Sequence, residues 1–190
     1  NLGLIENCAN YGTVKTYFSE AGGIVGDLKA KGTVRSCFNG GNVYAGYTYA
    51  GGIAGKSTSA TIENCQNVGD VAAKFLNPYQ AEGRQYGAGG IVGSAAAGTK
   101  LVNVLNSGKV SSCKQVGGIV GAQVATAASP TKVINGVNYG IVVSTDDAST
   151  GGALVGVNTL GTFENAVYDK QIQKVGAVGL ANVSGITALK

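Results

Sequence analysis

Short apolar runs, each hemmed in by glycine, recur along this chain where longer helical faces would be expected in a mixed protein. The run Gly-Gly-Ile-Val-Gly stands at Gly22–Gly26, at Gly51–Gly55 with Ala54, at Gly89–Gly93 and at Gly117–Gly121. It returns as Gly-Ala-Leu-Val-Gly at Gly152–Gly156. Successive starts lie 29, 38, 28 and 35 residues apart. A β-branched run of this length bounded by glycine suits a buried strand, since a helix needs about 10–12 residues of 3.6-fold periodicity. A period of about 20–50 residues marks a repeat architecture.

Each run is followed by a second phrase, apolar-x-Asn-Cys-x-Asn-x-Gly-x-Val. It reads Ile5-Glu6-Asn7-Cys8-Ala9-Asn10-Tyr11-Gly12-Thr13-Val14 in its first copy and Ile62-Glu63-Asn64-Cys65-Gln66-Asn67-Val68-Gly69-Asp70-Val71 in its third. The copy between them, Val34 to Val43, carries Ser36 and Cys37; those from Leu101 and Val133 place Val104 and Gly136 where Cys stood. A partial sixth begins at Phe163-Glu164-Asn165-Ala166. The phrase predicts a strand over Ile62–Cys65, a turn at Asn67-Val68-Gly69 that uses the left-handed tolerance of Asn and Gly, and a third strand about Val71. Two or three short strands per unit of ~30 residues describe one coil of a β-solenoid, which no single coil can sustain alone.

We therefore expect an all-β solenoid of about five rungs, a right-handed parallel β-helix by the usual crossover preference. Stacking at about 4.8 Å would align Ile24, Ile53, Ile91, Ile119 and Leu154 in one core row. A second row, Asn10, Asn39, Asn67, Asn106 and Asn138, would bond side chain to side chain and so satisfy its buried amides. Residues 1–190 form one repeat domain, its last repeat and C-terminal cap at about 152–190. The start at Asn1 and the absence of a signal peptide suggest a segment excised from a larger precursor with neighbouring domains.

These two phrases together resemble the GLUG-type repeats of bacterial surface and secreted proteins, over nearly the whole chain from Leu4 to about Tyr168. Val167-Tyr168-Asp169-Lys170-Gln171 is similar to the segment that often follows the final repeat of such arrays. The resemblance implies an extracellular β-rich scaffold, found in adhesin-like proteins and beside some secreted peptidases, and supplies no catalytic residues.

Composition narrows the chemistry. Charged residues are 13% of the chain against 44% hydrophobic, and the net charge of +4 comes from scattered Lys and Arg. Nucleic-acid recognition wants clustered positive charge, so no nucleic-acid partner is expected. No apolar run is long enough to span a membrane. Histidine is absent, which removes Ser-His-Asp and Cys-His nucleophiles. Cys8, Cys37 and Cys65 share one repeat position and read as small free-thiol core residues, Cys113 standing apart; none has a zinc-ligand pair. Glu6, Glu63 and Glu164 share another position and should face solvent. The acidic pair Asp146-Asp147 offers too few oxygens for calcium. No cofactor or metal is expected.

Aromatic residues supply the one candidate site. The segments ahead of the first three glycine runs carry Tyr17 and Phe18, then Tyr44, Tyr47 and Tyr49, then Phe75, Tyr79 and Tyr86; the later segments carry none. Long loops on one edge of a repeat scaffold commonly form its binding face. Tyr44, Tyr47, Tyr49, Tyr79 and Tyr86 are thus candidate ligand contacts for a carbohydrate or a host or cell-surface protein, aromatic rings offering an apolar face with a polar tip. The other reading makes them covers for the strand edge. The favoured function is a non-catalytic extracellular module acting as adhesin, binding surface or spacer. The alternative is a polysaccharide-active lyase or hydrolase-like domain, which would need at least three carboxylate or Lys/Arg side chains converging in a groove. A passive stalk would show no contiguous aromatic face.

Overall fold

The computed structural model describes residues 3–73, 87–145, 151–170 and 184–189. The first coil runs through β1 (Leu4–Glu6), β2 (Ala9–Asn10), β3 (Val14–Thr16), β4 (Ala21–Gly22) and β5 (Val25–Leu28). Each has a parallel counterpart in the coil above, giving a parallel β-helix with no helix among the described residues. There are five strands per full coil in the first three coils rather than two or three. Five full coils and a partial sixth are present, the partial one closed by the strand Ile186–Leu189 lying parallel on Ala166–Asp169.

Four sheets run along the stack. β1 and β2 begin one sheet, fused in the fourth and fifth coils into the single strands Lys100–Asn106 and Lys132–Asn138. β3, β4 and β5 each begin a five-stranded sheet. Register holds through every coil: Ala21 pairs with Ala50, Ala50 with Ala88 and Ala88 with Val116, although 13 residues separate Ala73 from Gly87 in the third coil.

Ile53, Ile91, Ile119 and Leu154 are fully buried in one row, and Ile24 packs half-buried beneath them at the open end. The carbonyls of Ile53, Ile91, Ile119 and Leu154 each accept two N–H groups from the coil before. Ile53 O takes both Ile24 N and Val25 N at 3.0 Å, and Ile91 O takes Ile53 N and Ala54 N likewise. That doubled acceptance turns the chain from the β4-type to the β5-type sheet without orphaning a backbone donor.

The interior has two apolar compartments. One joins the β1 and β5 sheets through Ile62, Leu101, Val133 and the isoleucine row. The other joins the β3 and β4 sheets through Val43, Val71, Val110 and Val116. Between them stands the asparagine row. Asn10 Nδ2 donates to Asn39 Oδ1 at 2.8 Å, Asn39 to Asn67 at 2.7 Å, and Asn67 to Asn106 and Asn106 to Asn138 at 2.8 Å. Each Nδ2 gives its second proton to the glycine carbonyl two residues on, as Asn67 does to Gly69. Every amide in this waist is therefore satisfied, as burial demands.

The second glycine of each run makes room for that row. A Cβ on Gly52 would run into Asn67 Cγ and the carbonyl oxygen of Gly90, and one on Gly90 into Asn106 and Gly118. The fifth run has Ala153 at this position, and there the next coil has Tyr168 in register with Asn138 instead of another asparagine.

The left-handed residue is not where the turn at Asn67-Val68-Gly69 predicts it. Asn67 is extended, in the strand Gln66–Asn67, and the positive φ falls three residues earlier, at Asn64 (54°). Its equivalents Asn7, Ser36, Asn103, Asn135 and Asn165 lie between 50° and 55°. Asn accepts this conformation at low cost. The exposed side chains form a second row, Asn103 Nδ2 donating to Asn64 Oδ1 at 2.9 Å and Asn135 to Asn103 at 2.8 Å. Gly69 is required for space, because a Cβ there would meet the Gly41 carbonyl.

Candidate binding groove

The β3-type strands alternate, as a half-buried sheet should. Val14, Val43 and Val71 point inward, as do Ala45 and Ala73, so the middle residues Lys15, Tyr44 and Ala72 form an outward row in register, continued by Ser111 and Val143. The step from the large Tyr44 to the small Ala72 leaves a groove of about 400 Å³, lined also by Thr13, Lys15, Thr16 and Gly46. Its walls are mainly apolar. Among the described residues the Tyr44 and Thr13 side-chain oxygens have no protein partner, and Lys15 Nζ has no carboxylate within 4.0 Å. The Lys15 ammonium lies 5.3 Å from the centroid of the exposed Tyr17 ring.

The five candidate tyrosines divide. Tyr44 lines the groove. Tyr47 is 5% exposed, and its ring stacks on Phe18 at 5.1 Å, so it supports Phe18, itself 73% exposed, from beneath. Tyr49 is half-buried with its side chain over Gly87 and Gly93; it bonds Ser94, and burial pushes its phenol pKa up. Tyr49 thus packs over the glycines of the next coil. Tyr79 and Tyr86 lie outside the described residues, as do Phe75 and the Asp146-Asp147 pair. Lys15 and Thr13 are the groove residues that aromatic content does not point to. Their signal is positional: aligning the second phrase between coils puts Lys15 one coil before Tyr44.

Charged side chains meet at two other places. Arg35 Nη2 lies 2.8 Å from Glu6 and its Nη1 3.9 Å from Glu63, an exposed row along the β1 sheet. The hydrogen bond that Arg35 donates to Glu6, and then the charge of that carboxylate, raise the Arg35 pKa. Asp27, Lys29 and Lys56 line a shallower groove of about 320 Å³. This meets the numerical condition set for a polysaccharide-active site. Its one carboxylate is already held by Lys29 at 3.5 Å, whereas paired-carboxylate glycoside cleavage needs a second acid.

All four cysteines are free. Cys37 and Cys65 are buried, and Cys8 is exposed at the open end of the stack. Burial pushes the Cys37 thiol up and the Cys65 thiol up to about 11. Since the thiolate is the reacting form, a thiol-specific dye at pH 8 should modify Cys8 promptly and Cys65 only after denaturant is added. Mass spectrometry of tryptic peptides checks this, and equal labelling of Cys65 in the native protein would contradict the packed position. Among the described residues no three His, Cys, Asp or Glu side chains come together to hold a metal ion.

Residues 46–72 match the GLUG motif, so the chain carries that motif over the span from one glycine run to the following asparagine phrase. No curated protein matches the chain. Among solved structures it is similar to a protein described as a "putative immunoglobulin A1 protease from Bacteroides ovatus", with a TM-score of 0.74 at 24% identity. That likeness covers 99% of this chain and 62% of the other, and at this identity it establishes the shared fold alone.

Proposed function

We propose, taking a GLUG-repeat β-helix as the scaffold, that this chain is a non-catalytic extracellular bacterial module that binds glycan in the groove beside Tyr44. The carrying observation is the groove itself: about 400 Å³ of mostly apolar wall with the Tyr44 and Thr13 hydroxyls left free of protein partners among the described residues. Ligand sites of roughly 300–1,000 Å³ with a few convergent polar groups have this character. A sugar ring offers an apolar face for an aromatic side chain and hydroxyls for the polar ones. The extracellular, cell-surface setting is supported by the repeat motif and by the likeness to the Bacteroides fold.

A printed glycan array followed by calorimetry tests the reading. Wild-type protein should retain at least one glycan class, and Tyr44→Ala should weaken it about tenfold, or roughly 1.4 kcal/mol, with circular dichroism unchanged. Retention equal in Tyr44→Ala would remove the groove from the function. The polysaccharide-active alternative draws on Asp27, Lys29 and Lys56. It would displace the binding reading if incubation with polysaccharides released new chain ends and Asp27→Asn abolished that release.

A further inference from the structure

We infer that the sugar taken by this groove is an acidic one, a pyranose bearing a carboxylate, recognised by Lys15. This rests on the glycan-binding reading above and adds the charge of the ligand.

Lys15 stands in the outward row next to Tyr44, so a ring lying along Tyr44 brings its exocyclic substituent towards the ammonium. Among the described residues, none that lines the groove is acidic. Lys15 differs in this from Lys29 and Arg35, whose charges are taken up by Asp27 and by Glu6 and Glu63. Asp70, in the row that begins at Thr13, is two coils further along and accepts the Lys109 N–H at 3.1 Å. The Tyr17 ring, 5.3 Å from the Lys15 ammonium, makes a cation–π contact with it at the groove's edge. A cation held over an apolar, hydroxyl-edged groove is complementary to a carboxylate-bearing sugar and gives a neutral one no matching contact.

The test uses two pairs of probes on the whole chain, each at two salt concentrations. Oligogalacturonate is compared with its methyl ester, sialyllactose with lactose, and each in low salt with the same in 0.5 M salt. For an exposed charge contact the preference for the acid should be about threefold to fivefold, shrinking at high salt. Lys15→Gln should abolish the preference while leaving circular dichroism and the unfolding midpoint close to wild type. Preference for galacturonate alone or sialyllactose alone identifies the source of the carboxylate, and either supports the proposal. Equal binding of acid and neutral members would overturn the acidic assignment and leave the glycan reading intact. A preference that survives Lys15→Gln would also overturn it. Binding of no saccharide at all would bring down both.

Discussion

Replacing Asn67 by alanine should cost about 3–6 kcal/mol of unfolding free energy, measured by guanidinium denaturation. The side chain is fully buried and serves three neighbours: it accepts from Asn39 Nδ2, donates to Asn106 Oδ1, and donates to the Gly69 carbonyl. Alanine leaves each of those groups short of one partner in a place water does not reach. An unmet buried polar group costs roughly 1–3 kcal/mol, and the vacated volume adds to that. The matched control is Asn103→Ala on the exposed row. Asn103 makes two comparable side-chain bonds, to Asn64 and from Asn135, but water can replace both. That variant should lose under about 1 kcal/mol from its hydrogen bonds; its left-handed backbone at φ 53° disfavours alanine by about another 1 kcal/mol. Equal losses for the two variants would show that burial of the inner row is not what stabilises it.

Gly52→Ala should be at least as damaging, by about 3 kcal/mol or more. The added methyl has the Gly90 backbone carbonyl on one side and, on the other, the Asn67 amide, which three hydrogen bonds hold in place. Overpacking of a tight interior usually costs about 1–3 kcal/mol, and displacing Asn67 adds the loss of its row. Gly12→Ala is the control, because a Cβ there meets only Asn10 Oδ1 at 3.6 Å and no positive φ is required. It should leave the midpoint within about 0.5 kcal/mol, the usual range for surface changes. The double variant Gly52→Ala/Asn67→Ala should lose less than the sum of its parts, since the two side chains contend for one space. Strict additivity would argue against that contention.

The two rows that hold the coils in line were legible because they repeat: Ile53, Ile91 and Ile119, and Asn39, Asn67 and Asn106, sit at fixed places in phrases that recur. Stacking turns such identity into contact. The number of strands per coil was not legible, because two-residue strands such as Phe38–Asn39 carry no periodicity of their own. The left-handed residue was misplaced for a related reason. Both asparagines of the phrase tolerate that conformation, and only the fold shows that Asn67 is needed extended to reach across the waist. The described aromatic candidates divide between the two faces of the coil. Along one strand alternate residues share a face; Tyr44 and Tyr47 stand an odd three residues apart, and bends at 46–48 lie between the strands Val43–Ala45 and Tyr49–Gly51. Tyr44 therefore faces out while Tyr47 is buried under Phe18.

The constancy of register across coils of unequal length separates two kinds of change. Passage from the β3-type to the β4-type sheet is brief in the fourth coil, Ser112 to Gln115, and long in the third, Ala73 to Gly87, yet the strands on either side stay level with their neighbours. Ties that help keep them level, the asparagine waist and the isoleucine carbonyls, are made outside this passage. Foreign sequence grafted between Ser112 and Gln115 should accordingly be carried as cargo, leaving thermal stability nearly untouched. Such a scaffold lets lineages rewrite what the molecule touches without renegotiating how it stands.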